Sequence, residues 1–135
     1  MFTRIILGIS LLFVIGTEVR AQSGDIVLSQ IKSSIMSADA VGLTEQTVNT
    51  VEIGLFGIGR YYSKGQATVL LKSFFRDYPP EDFVITGSTQ TPGAWFVEGE
   101  YEVQETKEPL RFHIRLRISE GSWKIRELLV EEVDE

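Results

Sequence analysis

The sequence predicts one α+β domain in which N-terminal helices cover one face of a strongly bent antiparallel sheet. Three patterns support this fold class. Apolar residues recur at helical spacing near the start, a capping motif precedes a second helix, and the last 40 residues alternate between apolar and charged side chains. The order of elements is therefore helix, strand, helix and then a run of strands.

The first helix is expected over residues 23 to 40, capped by Ser23 or Asp25 and ended by Gly42. One stripe of this segment is apolar at intervals of four, four and three residues, which places the side chains on one helical face. The stripe consists of Val27, Ile31, Ile35 and Ala38. Residues 43 to 47 are expected to add a short helical turn.

A strand and a second helix follow. Val51, Ile53 and Leu55 alternate with other residues as in a strand, and a glycine-containing bend comes next. Ser63 precedes Gln66 by three residues, the capping-box arrangement that begins a helix. Pro79-Pro80 should stop that helix. Residues 83 to 85 predict another strand, and residues 87 to 93 predict a loop.

The stretch from Trp95 to Ile118 predicts a hairpin, because apolar and charged residues alternate in both of its arms. A turn centred on residues 106 and 107 would place acids opposite bases. The expected pairs are Glu102 with Arg111, Glu100 with His113, Glu98 with Arg115, and Tyr101 with Phe112.

The last strand, from Trp123, cannot continue in simple register with the arm before it. Without a correction Arg126 would face Arg115, and Glu127 would enter the core opposite Ile114. One extra residue restores opposite charges and apolar pairs, so the sequence predicts a β-bulge at Arg126 and Glu127.

The N-terminus has the charged, apolar and small-residue order of a secretory signal, with cleavage expected after Ala21. The apolar run, residues 5 to 16, is shorter than the roughly 20 residues of a membrane-spanning helix, so no stable anchor is expected after cleavage. The predicted organisation is a signal peptide over residues 1–21 and one domain over residues 22–135. The predicted location is the periplasm or the extracellular space.

Charge and cysteine content exclude several function classes. Cleavage would remove two bases and one acid, Arg4, Arg20 and Glu18, so the formal net charge would go from −6 to −7. Nucleic acids and anionic membranes are therefore not expected as partners. The chain has no cysteine, which excludes disulfides, thiolate nucleophiles and cysteine-bound metals.

The segment Tyr62-Ser63-Lys64-Gly65-Gln66-Ala67, followed by Leu71, Phe74 and Phe75, resembles the signature of DUF4783, a family of exported Bacteroidetes proteins. Residues 125 to 131 are similar to that family's last strand. The resemblance implies the NTF2-like (cystatin-like) cone fold, with N-terminal helices packed on a curved antiparallel sheet. It implies no established activity and no catalytic residues, and the capping motif also has a purely structural explanation.

His113 is the only histidine and hence the obvious candidate acid or base near neutral pH. Its predicted place on the charged face between Arg111 and Arg115 indicates a surface ion pair instead. One histidine with carboxylates is a weak ligand set for zinc, and the sequence contains no calcium-binding loop. No catalytic residue, metal or cofactor is predicted.

Five basic residues in the last strands could bind an anion or an acidic partner. These residues are Arg111, Arg115, Arg117, Lys124 and Arg126. Nearby glutamates are expected to neutralise most of them, which favours a solvated or dimer-forming sheet face. A homodimer through this face is one expected assembly.

Cone folds commonly have a cavity between the long helix and the inner sheet face, and this chain offers aromatic residues to line one. The candidates are Tyr61, Tyr62, Phe74, Phe83, Trp95, Tyr101, Phe112 and Trp123. They can equally form an ordinary core. The sequence favours a non-catalytic domain that binds a small apolar molecule or a protein partner. The alternative is an isomerase-like or cyclase-like enzyme that acts on a small apolar substrate in the cone.

Overall fold

The fold was analysed in a computed structural model that describes residues 24–105 and 108–133. It contains three helices and six strands. The helices are α1 (Gly24–Met36), α2 (Ala40–Glu45) and α3 (Lys64–Asp77). The strands are β1 (Thr47–Leu55), β2 (Arg60–Ser63), β3 (Pro80–Gln90), β4 (Trp95–Val103), β5 (Leu110–Ser119) and β6 (Ser122–Glu132).

The six strands form one sheet in the order β2-β1-β6-β5-β4-β3. Neighbouring strands are antiparallel except for β1 and β6, which pair in parallel. Apolar side chains from the helices and from one face of the sheet form a single buried core. We call this the inner face, and the opposite face the outer face. The predicted α+β class is confirmed.

The first helix is shorter than predicted, and Gly42 does not end it. The chain leaves α1 at Met36, and Ala38 adopts a left-handed conformation with φ of 54°. Asp39 then caps a separate helix, α2, by accepting a hydrogen bond of 2.9 Å from the Gly42 backbone N–H. Because the Asp39 side chain caps the start of α2, the chain forms two separate helices instead of one continuous helix.

The capping box at the start of α3 is confirmed. The Ser63 hydroxyl accepts from the Gln66 backbone N–H at 3.3 Å, and the Gln66 side chain accepts from the Ser63 N–H at 3.1 Å. The buried face of this helix contains Ala67, Leu71, Phe74 and Phe75. The helix ends at Asp77, before the two prolines, as the sequence predicts.

Strand β3 extends through residues that the sequence predicts to be a loop. Residues 87 to 90 pair with residues 95 to 98 of β4, and only residues 91 to 94 connect the two strands. The Trp95 indole N–H donates to the Ser88 hydroxyl at 2.7 Å. Cross-strand pairing therefore holds this polar segment in a strand even though it begins with glycine, which is depleted in strands.

The predicted register of the hairpin is wrong by two residues. Glu100 faces Arg111, Glu98 faces His113, and Tyr101 faces Leu110. A shift of two residues leaves every side chain on its predicted face, so alternation alone could not detect it. Pro109 has no backbone N–H, and β5 begins directly after it. The predicted turn centre, residues 106 and 107, lies outside the described residues.

The predicted bulge in β6 is confirmed. Leu116 pairs with Ile125 and Arg115 pairs with Glu127, which leaves Arg126 as the extra residue. The turn before β6 consists of Glu120 and Gly121, with φ of 52° and 80°. Positive φ at both positions is typical of the type I′ turn that suits a two-residue hairpin.

No helix in the described part of the chain is long and apolar enough to cross a membrane. The predicted signal peptide, residues 1–21, lies outside the described residues.

Gly99 on the inner face leaves space for an aromatic ring. A Cβ atom at this position would overlap the Phe83 ring, whereas a Cβ atom at Gly87 would lie 3.9 Å from the nearest Glu98 atom. We expect Gly99→Ala to lower the free energy of unfolding by about 1 to 3 kcal/mol, because the buried ring must shift. Urea unfolding measures this change. Gly87→Ala is the matched control and should be near neutral, and equal losses in both variants would contradict the close packing.

Candidate functional site

The structure brings most of the predicted aromatic candidates together on the inner face. Six of the eight are buried in the core: Phe74, Phe83, Trp95, Tyr101, Phe112 and Trp123. Tyr62 is half-buried beside them, whereas Tyr61 is 66% exposed. Consecutive residues of a strand point to opposite faces, and Tyr61 lies beside Glu52 on the outer face.

The buried rings pack against one another. Tyr101 stacks on Phe112 with a centroid distance of 4.9 Å, and Phe74 lies 5.6 Å from Tyr101. The Phe83 ring lies 5.3 Å from Phe112. These separations are those of ordinary aromatic contacts. The ring positions that were candidates for a cavity lining therefore contact each other.

Few polar groups lie within this core. The Tyr101 hydroxyl donates a hydrogen bond to the Tyr78 carbonyl, and burial raises the pKa of Tyr101 well above its usual value. Among the described residues, the other buried polar side chains are Thr44 and Thr47, which donate to the carbonyls of Val41 and Thr44. No carboxyl group or imidazole of the described residues is buried beside the rings.

A second aromatic group, which sequence reasoning missed, lies where β1 and α3 end. The Phe56 ring lies 5.2 Å from the Tyr78 ring and 6.4 Å from that of Phe74, yet it is 40% exposed. Its backbone has φ of 59°, and its N–H donates to the Val130 carbonyl at 2.8 Å. The sequence predicts only a bend here, since exposure of one ring depends on tertiary contacts.

Two surface depressions meet beside Phe56 at Glu132. One has a volume of about 490 Å³ and lies between Phe56, Gly57 and residues 129 to 132. The other has a volume of about 200 Å³. Its lining consists of Tyr78, Val103, Glu108, Pro109, Leu110 and Glu132. We call this region the open end of the cone.

His113 does not pair with Glu100 as predicted. Its Nε2 atom lies 2.6 Å from Oε1 of Glu131, and its Nδ1 atom lies 3.5 Å from Oε1 of Glu98. The imidazole therefore bridges carboxylates of two neighbouring strands on the outer face. Within residues 24–105 and 108–133, no three His, Asp or Glu side chains form a group that could hold a metal ion.

A pair of acidic residues, which the sequence did not predict, lies beside this bridge. Glu52 of β1 is in register with Glu127 of β6. The side-chain hydrogen bond with Glu52, partial burial and the Glu52 charge all raise the pKa of Glu127, whereas Arg115 and Arg126 lower it. The parallel pairing of β1 with β6 brings these two carboxyl groups together. That pairing is invisible in the local sequence.

The basic row divides into two parts. Arg111 faces Glu100 on one side and Glu131 on the other, and Arg115 faces Glu127 and lies 5.2 Å from the centre of the Phe96 ring. Arg117, in contrast, faces Lys124. The cross-strand register therefore places glutamates opposite the first part of the row and not opposite the second, although no described carboxylate lies within 4.0 Å of the Arg111 or Arg115 nitrogens.

Tyr101→Phe tests the buried hydroxyl. The variant should lose about 1 kcal/mol at neutral pH, since the Tyr78 carbonyl loses its donor. Because burial raises the pKa of Tyr101 in the folded state above the ordinary tyrosine pKa of about 10, the stability that the hydroxyl contributes is complete below pH 10 and is lost as pH rises further. Unfolding free energies measured from pH 8 to 11 should therefore fall more steeply for the wild type than for the variant. Parallel pH profiles would contradict the assignment.

Glu127→Gln tests the acidic pair. A raised carboxyl pKa means that ionisation of Glu127 at neutral pH opposes folding, and that this cost disappears as pH falls. We therefore expect the variant to unfold at a higher urea concentration than the wild type at pH 7, and the gain to shrink towards pH 4. Glu100→Gln, opposite Arg111, is the matched control and should show no gain. A gain that grows as pH falls would contradict the prediction.

Comparison with known proteins places this geometry in a family. A family model described as Domain of unknown function (DUF4783) matches residues 28–131. A search among curated proteins returns no match.

Three solved structures show the same fold. A DUF4783 family protein from Bacteroides ovatus has 15% sequence identity and a TM-score of 0.73, with 79% of this chain and 96% of that chain covered. The corresponding protein from Bacteroides uniformis has 14% identity and a TM-score of 0.72, with coverage of 79% and 97%. An NTF-2 like protein of unknown function from Silicibacter pomeroyi has 10% identity and a TM-score of 0.59, with coverage of 81% and 92%.

These similarities confirm the predicted cone fold of helices on a curved sheet. The Bacteroides source of two neighbours also fits the Bacteroidetes family that the sequence resembles. The family match covers most of the chain, including the capping motif and the last strand. The chain therefore belongs to the DUF4783 family and has the NTF2-like fold.

Proposed function

We propose that this protein is an exported, non-catalytic binding domain that takes a small apolar molecule at the open end of the cone. The observation that carries this proposal is the contrast between a tightly packed inner face and a partly exposed aromatic ring at Phe56 beside surface depressions. The matching family model is described as a domain of unknown function, and the similar Silicibacter pomeroyi structure is an NTF-2 like protein of unknown function, so the proposal depends on this geometry.

The composition of the core favours binding over catalysis. An enzyme of this fold needs an acid or base within hydrogen-bond reach of its substrate. The described core offers Thr44, Thr47 and Tyr101 as polar side chains, and each already has a hydrogen-bond partner. A substrate placed among the packed rings would find no carboxyl group or imidazole of the described residues beside it.

Phe56 is the best candidate contact for a ligand. A left-handed conformation costs a non-glycine residue about 1 to 2 kcal/mol, and here it holds a ring partly in solvent. The neighbouring Tyr78, Val103 and Leu110 supply apolar surface. An apolar ligand at this point would extend the existing aromatic cluster and cover surface that the fold leaves exposed.

The charge around the open end restricts the ligand further. Glu131 and Glu132 lie on its rim, and the whole chain has a formal net charge of −6. An anionic ligand would meet repulsion at short and at long range. The proposed ligand is therefore neutral or cationic. The homodimer through the outer face stays a prediction.

Export is the second part of the proposal and depends on the sequence alone. The order of Arg4, the apolar run and the small residue Ala21 supports removal of residues 1–21. The mature chain would then begin at Gln22.

One mass-spectrometry experiment on natively purified protein addresses both parts. The intact mass should correspond to a chain that begins at Gln22, and a mass that includes Met1 would contradict export. Native conditions should retain one neutral or cationic apolar compound. Phe56→Ala should reduce the bound fraction at least tenfold, because it removes the exposed ring.

Val84→Ala is the matched control, since Val84 is a similarly exposed apolar residue away from the open end. It should retain the compound. Equal retention by both variants would contradict the proposed site. Chemical conversion of the retained compound by the purified protein would contradict the non-catalytic role.

A further inference from the structure

A polar groove of about 250 Å³ lies between β1 and the turn that joins β5 to β6, away from the open end. Three cationic side chains line it: Lys64, Arg117 and Lys124. Ser119, Thr50 and one acid, Glu120, also contribute to its wall. We call this region the basic groove.

The groove exists because β1 separates from β6. Thr47 pairs with Ile125 and the next paired residues are Glu52 and Glu127, so β1 advances five residues while β6 advances two. Residues 48 to 51 therefore bow away from the parallel ladder. A gap therefore opens between β1 and β6, and the two strands pair again before it, at Thr47, and after it, at Glu52.

The charges in this gap oppose one another. Arg117 lies directly opposite Lys124, and like charges at such a cross-strand position are destabilising. No described carboxylate lies within 4.0 Å of the Lys64, Arg117 or Lys124 nitrogens. The same holds for Arg111 and Arg115, but those two residues face glutamates across the strands, whereas Arg117 and Lys124 face each other. Lys124 Nζ donates to the Glu45 backbone carbonyl at 3.3 Å, a contact that leaves its charge unneutralised.

The cross-strand pairing of these cations differs from that of the other arginines on the outer face. Arg111 and Arg115 lie opposite glutamates, as expected for a face whose charges serve solubility and register. A like-charged pair on the same strands breaks this local rule, and such exceptions concentrate at functional sites. The hydrogen bond from Lys124 to the Glu45 carbonyl at the end of α2 accounts for Lys124 but not for Arg117. The net local charge is two positive in a chain whose overall charge is negative.

We propose that the basic groove binds a tetrahedral oxyanion, a phosphate or sulfate group, between Arg117, Lys124 and Lys64. A dianion would balance the local charge and turn the Arg117–Lys124 repulsion into two attractive contacts. The volume admits one such group with a small organic substituent. The negative charge of the whole chain disfavours an extended polyanion.

Thermal unfolding with inorganic phosphate tests the proposal, because a ligand that binds only the folded state raises the melting temperature by mass action. The wild type should gain stability with phosphate beyond the effect of chloride at matched ionic strength. Arg117→Gln should increase the apparent Kd for phosphate at least tenfold. Arg126→Gln removes the same charge from the exposed bulge outside the groove and should keep the wild-type response.

The unliganded variants provide a second readout. Arg117→Gln should melt at the same temperature as the wild type or above it, since it removes a like-charge contact. Lys124→Gln removes the same contact and also the ammonium that bonds the Glu45 carbonyl, so its melting temperature should change little. A marked loss of stability in both would assign these residues a structural role and overturn the proposal. Equal phosphate responses in Arg117→Gln and Arg126→Gln, or an equal effect of chloride, would also overturn it.

Sulfate and glycerol 3-phosphate distinguish the source of the group. Tighter binding of glycerol 3-phosphate than of inorganic phosphate would assign the groove to a phosphomonoester. The reverse order would assign it to the free ion, and preference for sulfate would assign it to a sulfated or sulfate ligand. Failure of Phe56→Ala to lose its apolar ligand would not affect this result, because the two sites share no lining residue.

Discussion

The register of β6 is the constraint on which the rest of the structure depends. This strand pairs antiparallel with β5 and parallel with β1, and it needs one extra residue, Arg126, to satisfy both the core and the outer face. Without that residue an acid would enter the core and arginine would face arginine. With it, Glu127 lies beside both Arg115 and Glu52. The irregular pairing with β1 that accompanies this register also opens the basic groove.

The inner face is organised by steric fit rather than by polar contacts. Gly99 lacks the side chain that would collide with Phe83, and this absence lets Phe83 and Tyr101 pack against Phe112. Because interiors are close-packed, filling this region removes space that a ligand could otherwise use. The surface that remains available for an apolar ligand is therefore displaced to the open end, where Phe56 is only partly covered.

The two proposed sites lie near opposite ends of β6 and have opposite chemistry. Lys124 belongs to the basic groove, and Glu132 belongs to the rim of the open end, about 25 Å further along the strand at 3.3 Å per residue. One site offers cations and hydroxyl groups, and the other offers apolar rings with carboxylates. At this separation, substitutions in one site should leave binding at the other unchanged. A single ligand would need to be about 25 Å long to occupy both sites.

The sequence by itself determined the fold class, the capping box of α3, the inner and outer sides of β1, β4, β5 and β6 and the bulge at Arg126, because these follow from local hydrogen bonding and side-chain alternation. It did not determine the pairing in the β4–β5 hairpin, since a two-residue shift preserves alternation. It also identified most of the buried aromatic residues without showing whether they enclose a cavity. Only the tertiary structure decided the parallel contact of β1 with β6, which brings residues more than 70 positions apart together. The Glu52–Glu127 pair, the basic groove and the exposure of Phe56 all depend on such distant contacts, and no local pattern encodes them.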